Sequence, residues 1–154
     1  KPAEYYAAYF TVRSENLDGA VAMKGHRAVR DKMNQIKQKQ SVHEATAKEE
    51  AEYQTLQIVN EMMARGIDVL PVDVYKSEAK MFMVEDGKIR LPFSSLPGVG
   101  EAAAISLAES GKKNEYLSIE DMQVKTKVTK AVIETLKDVG VLKDLPDSSQ
   151  MSLF

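Results

Sequence analysis

Leu96-Pro97-Gly98-Val99-Gly100 is the stretch of this 154-residue chain whose residue types and spacing can do the most specific chemistry. Two glycines one residue apart let a backbone turn sharply and bring its N–H groups against a ligand with no Cβ in the way. Beyond them, Ala104 and Leu107 recur at helical spacing. A helix opening there offers unsatisfied first-turn N–H groups and a positive partial charge. Together these form a cradle for a phosphate that needs no basic side chain. Val99 is placed to plug such a hairpin from inside, and Ala104 is small enough for two helices to touch. The alternative is a glycine-rich turn that binds nothing, and Glu101, just after the second glycine, is the residue an anion would least favour.

Two further groups have chemistry to offer. Lys125, Lys127 and Lys130 cluster near the start of the last helical segment and can meet phosphates, or simply face solvent. The chain closes on Gln150-Met151-Ser152-Leu153-Phe154, after the polar run Asp147-Ser148-Ser149. Three large apolar side chains in four terminal positions have little reason to stay in water. Leu153 and Phe154 can fill one apolar pocket, Met151 a shallower one, and the Gln150 amide can donate and accept to fix the register. Each such burial is worth about 1.5–3 kcal/mol, against about 1 kcal/mol or more per ordered residue. The expected grip is weak and gains from avidity. The same residues could instead fold back on their own domain.

Composition sets the bounds. Hydrophobic residues make up 44% of the chain, enough for a core, and the net charge is −2, so no global field draws in a polyanion. Without cysteine there are no disulfides or thiolate metal sites, which fits a reducing cytoplasm. No apolar run approaches the ~20 residues of a membrane span, and the start lacks a signal peptide's apolar region. The absent initiator methionine points to a fragment of a longer chain. His26 and His43 have no partners in sequence that make a metal site, and no carboxylate pair suits phosphoryl transfer. No cofactor is expected in these residues.

The elements that must position these groups are mostly helical. Residues 4–12, with Tyr5, Tyr6, Tyr9 and Phe10, read as a short buried helix. Residues 17–39 read as a second helix that Asp18 caps, with Val21, Ala28, Val29, Met33 and Ile36 on one stripe. Its other face is basic: Lys24, Arg27, Arg30, Lys32, Lys37 and Lys39 against Asp31 alone. Those cations could neutralise phosphates or pair with the acidic start of the next helix. Residues 38–41 read as a polar linker, and residues 43–65 as a third helix closed by Gly66. A short extended segment follows at 69–75, bent by Pro71. Glu85-Asp86-Gly87 then predicts a β-hairpin between residues 81–84 and 88–91. Helices are expected again over 101–110, from Ser118, and from Thr129 to Val139, with a polar connection at 111–116. A faint echo of the glycine hairpin lies in Leu136 to Leu142. The fold class expected is mainly α with a small β-hairpin.

Leu96 to Gly100 with its following helix resembles the helix-hairpin-helix motif, and the closing pentapeptide resembles the peptide with which bacterial polymerases and repair proteins hold the DNA sliding clamp. Lys1-Pro2, Tyr5 to Arg13, Val72 to Ser77, the hairpin, Leu145-Pro146-Asp147 and the tail, in that order, make the whole chain similar to the C-terminal end of PolC-type DNA polymerase III, the replicative polymerase of Gram-positive bacteria. That resemblance implies three parts. Residues 1–90 would close the fingers region, with its small β element. Residues 91–146 would be a helix-hairpin-helix domain on duplex DNA, using Leu96, Pro97, Gly98, Val99, Gly100, Lys125, Lys127 and Lys130. Residues 147–154 would be a flexible clamp-binding tail, with Gln150, Met151, Ser152, Leu153 and Phe154 as the anchors. The partners implied are duplex DNA, the sliding clamp and the remaining domains of the parent, with no membrane and a cytoplasmic location. The parent would be a DNA-directed DNA polymerase using magnesium, its catalytic residues outside this chain. A repair or translesion protein with the same hairpin and tail, or a pure interaction module, are the other readings.

Overall fold

The structure is a computed structural model and describes residues 2–13 and 16–148. Helix α1 (Ala3–Val12) lays one side on the core through Tyr6, Ala7 and Phe10, while Tyr5 and Val12 face outward. The expected second helix is two. Asp18 caps α2 (Gly19–Met23) by accepting from the Ala20 and Val21 N–H groups. Gly25, at φ +105°, then breaks the chain direction before α3 (His26–Ser41). A positive φ is open to glycine at no steric cost, so the break belongs to this one residue. The residues read as a linker are the last turn of α3, and the connection lies at Val42 to Ala45.

Helix α4 (Ala47–Ala64) begins later than its apolar pattern indicates, because Thr46 and Glu49 form a reciprocal capping box. Helices α3 and α4 pack as a hairpin, tied by a 2.6 Å bond between His26 Nε2 and Asn60 Oδ1. A small sheet follows. Strands β2 (Met83–Glu85) and β3 (Lys88–Arg90) make the expected antiparallel hairpin, with Asp86 and Gly87 both at positive φ. Strand β1 (Val69–Leu70) adds in parallel on the other side of β3, giving the order β1-β3-β2.

The last part holds α5 (Glu101–Lys113), α6 (Ile119–Thr126) and α7 (Lys130–Asp138). Ser118 and Thr129 cap α6 and α7 through their hydroxyls. Helix α5 runs on through Gly111 to Lys113, where a polar connection was expected. Tyr6, Ile36, Leu56, Ile89, Phe93, Leu107 and Leu136 come from all parts of the chain and are each buried in one continuous hydrophobic cluster. Among the described residues no helix is long and apolar enough to cross a membrane.

Candidate nucleic-acid interface

The glycine hairpin is built from a 3-10 turn, Phe93–Ser95, running into Leu96 and then α5. Phe93 and Leu96 are buried and anchor the turn; Pro97, Gly98 and Gly100 are exposed at its tip. Gly98 takes φ +94°, and a Cβ there would stand 3.0 Å from Thr135 Oγ1 on α7. The turn therefore needs glycine for its backbone angle and for the close approach of α7. Val99 is buried and its N–H donates to the Leu96 carbonyl at 3.1 Å, so it plugs the hairpin as expected. Ala104 is fully buried where the helices meet.

Gly100 is the N-cap of α5 and has an ordinary extended conformation, φ −74° and ψ 172°. It supplies no side-chain cap, and the Glu101, Ala102 and Ala103 N–H groups find no acceptor among the described residues. Three donors at the positive end of a helix with no Cβ over them are an anion-binding arrangement. Glu101 is less hostile to an anion than its charge implies: Lys80 Nζ lies 3.0 Å from its carboxylate. Lys80 escaped the sequence reading because the loop that carries it meets α5 only in the folded chain. That loop is held by Phe93 N–H donating to the Glu78 carbonyl and by Lys112 binding the Glu78 carboxylate at 2.6 Å.

A second turn of the same shape precedes α7. Lys127 takes φ +61°, Val128 is buried, and Thr129 caps the helix at φ −74° and ψ 163°. These match Gly98, Val99 and Gly100 in order, in the positive φ of the first, the burial of the valine and the extended N-cap, so the counterpart of the glycine hairpin lies here and not at Leu136 to Leu142. Thr129 uses its hydroxyl on Val132 N–H, which leaves this helix end partly satisfied by its own chain. Lys125, Lys127 and Lys130 are all exposed around the turn. Lys125 pairs with Asp121 at 3.0 Å; Lys127 and Lys130 have no ionic partner among the described residues. The Leu117 N–H, and then Lys125, hold the Asp121 carboxyl below the usual carboxylate range.

A cleft of about 230 Å³ opens at the root of the glycine hairpin, between Leu96-Pro97, Asp18 and the start of α4. Glu52 Oε1 and Ser94 Oγ line it and find no hydrogen-bond partner among the described residues. Burial pushes the Glu52 carboxyl above the ordinary carboxylate range, with Lys32 opposing the shift. Among the described residues no group of three His, Cys, Asp or Glu side chains could hold a metal ion.

The tail residues Gln150, Met151, Ser152, Leu153 and Phe154 lie outside the described residues. The chain leading to them is fixed. The Pro146 and Asp147 carbonyls accept from the Ile119 and Glu120 N–H groups at 2.8 and 3.1 Å, satisfying the first turn of α6. The described chain thus ends beside the first turn of α6.

A family model described as helix-hairpin-helix motif matches residues 66–151. Proteins named DNA polymerase III PolC-type match almost the whole chain. The protein of Thermotoga maritima is 36% identical over 99% of this chain, that of Halalkalibacterium halodurans 42% over 99%, and that of Clostridium perfringens 40% over 99%. The chain spans 11% of the first of these relatives and 10% of the other two, so it corresponds to a small segment of each.

Proposed function

This chain belongs to the helix-hairpin-helix family, and from that premise we propose that it is a segment of a replicative DNA polymerase that grips duplex DNA and tethers the enzyme to the sliding clamp. The observation that carries the first half is the open end of α5, where the Glu101, Ala102 and Ala103 N–H groups have no acceptor among the described residues, behind Gly98-Val99-Gly100. A DNA phosphate seated there takes hydrogen bonds from the backbone. Lys127 and Lys130, at the matching turn before α7, supply charge to a neighbouring phosphate. Contacts of this kind hold a duplex in place without reading its sequence, which is what a polymerase needs behind its active site. The residues up to about 90 would close the fingers region, and residues 91–146 would carry the duplex. The chemistry of nucleotide addition, with its magnesium ions and catalytic carboxylates, belongs to other parts of the parent.

Two measurements test this. Fluorescence anisotropy with a labelled duplex should show binding that weakens about tenfold or more between 50 and 200 mM salt, the response expected when two or more phosphates are neutralised. Binding that ignores salt, or its absence at low salt, would sink the duplex reading. For the tether, Gln150, Met151, Leu153 and Phe154 supply a glutamine and three apolar anchors. Purified sliding clamp should bind the intact chain weakly, because burying two or three such side chains only modestly exceeds the cost of ordering the tail. A chain cut after Ser149 should show no measurable binding. Equal binding by the two forms would assign the tail to its own fold.

A further inference from the structure

Helix α3 carries five cations, Arg27, Arg30, Lys32, Lys37 and Lys39, and one acid, Asp31, in a chain whose net charge is −2. The structure divides the five. Lys39 binds Glu49 of α4 at 2.7 Å, an interaction that, with the Thr46 N–H, draws the Glu49 carboxyl down to about 2. Lys32 lies close enough to Glu52 of α4 to favour its charged form. Arg27, Arg30 and Lys37 are exposed and pair with no acid among the described residues. At 3.6 residues per turn, Arg27, Arg30, Asn34, Lys37 and Ser41 fall within an arc of about 80°. Lys32 and Lys39 lie roughly on the opposite flank, toward α4. Pairing with the acidic start of α4 therefore accounts for Lys39, Lys32 lies on the same flank near Glu52, and three cations are left on a separate stripe.

We propose that this stripe of α3 is a second docking surface for duplex DNA, outside the segment that carries the hairpins. From Arg27 to Lys37 it spans about 15 Å along the helix. A B-form duplex presents one phosphate charge per ~1.7 Å of its axis, so several lie within reach of that length. The exposed face holds cations and small polar side chains but no aromatic residue. Single strands are typically held by bases stacked on aromatic rings; a purely cationic face suits the regular backbone of a duplex. The inference rests on the reading that this chain works on DNA, but not on the hairpin being the site.

The test compares the whole chain with a triple variant, Arg27→Gln, Arg30→Gln and Lys37→Gln, on a labelled duplex and on a single strand of equal length. All three side chains are exposed, so the melting temperature should hold. The slope of log affinity against log salt on the duplex should fall by about 2–3, near 0.9 per lost contact, with at least a tenfold loss at 50 mM salt and a smaller one on the single strand. An unchanged duplex slope overturns the proposal, as does a loss confined to the single strand. A Gly100→Asp chain measured alongside separates the two surfaces. If it binds like the parent while the triple variant is weakened, the hairpin reading fails and the α3 surface stands.

Discussion

Replacing Gly100 with Asp should weaken duplex binding about 10- to 100-fold while leaving the fold as stable as before or slightly more so. Gly100 has backbone angles open to any residue, and a Cβ placed on it meets no atom within 4 Å. Aspartate is among the preferred N-cap residues, and its carboxylate accepts from the second or third N–H of the helix, here Ala102 or Ala103. Those are donors that a phosphate would use, and the new negative charge stands where the phosphate would sit. Hydrogen bonds to a charged group are worth about 1.5–3 kcal/mol, and each 1.4 kcal/mol is roughly tenfold in affinity. Gly98 cannot give so clean a result. At φ +94° with Thr135 Oγ1 behind it, any side chain strains the turn itself, and lost binding would be confounded with lost structure. Anisotropy and thermal melting on the Gly100→Asp chain settle the matter. Parental affinity with an unchanged melting temperature would make the hairpin a structural turn.

The features that were legible in sequence are those a single residue or a short pattern decides. Asp18, Ser118 and Thr129 cap the helices they precede, and Asp86-Gly87 closes the β-hairpin. Val99 and Ala104 are buried as their place in the hairpin requires. The features that stayed hidden depend on partners far along the chain or on a competition between local signals. Apolar spacing continues across Lys24-Gly25, so periodicity alone extends one helix where the backbone makes two. The polar composition of residues 38–41 signals a linker, yet Lys39 is held to Glu49 on the next helix and α3 continues. Strand β1 has two residues and pairs in parallel with β3, an arrangement no local pattern announces.

The site was legible in the same uneven way. The glycine spacing gave the first hairpin, because glycine marks the positive φ directly. Its counterpart at Lys127-Val128-Thr129 has no such marker, because a lysine takes the positive φ there and lysine signals charge before it signals a turn. Lys80 was invisible because its role depends on the loop from Ser77 to Met81 folding against α5, where it meets Glu101. For α3 the sequence showed a basic face, but only the structure shows Lys39 paired with Glu49 of α4 and Arg27, Arg30 and Lys37 on a different side of the helix.

The second large effect concerns Gly111, which the sequence offered as a helix end and the structure puts inside α5. In an exposed helix interior, Gly→Ala stabilises by about 0.5–1 kcal/mol. Gly111→Ala should do the opposite and cost about 2–3 kcal/mol. A Cβ at this position runs into the Val74 carbonyl oxygen, with Val74 C at 3.1 Å and Tyr75 Cα at 3.4 Å. The obstacle is backbone, and it is held from several sides. Asp73 Oδ1 accepts from the Tyr75 and Lys76 N–H groups, and the Ser77 hydroxyl bridges Asp73 N–H to the Leu91 carbonyl. Tyr75 also stacks on Tyr116 at 5.6 Å and accepts from its N–H. Relief would have to come from α5 moving away, which would pull the buried Leu107 and Ala108 out of the core. For a domain of this size the loss corresponds to a fall of roughly 4–12 °C in melting temperature. A rise in melting temperature would contradict the close approach. The sign of this one substitution thus reports whether the helix that carries the hairpin is seated directly on the segment after β1, the contact that fixes where the hairpin points.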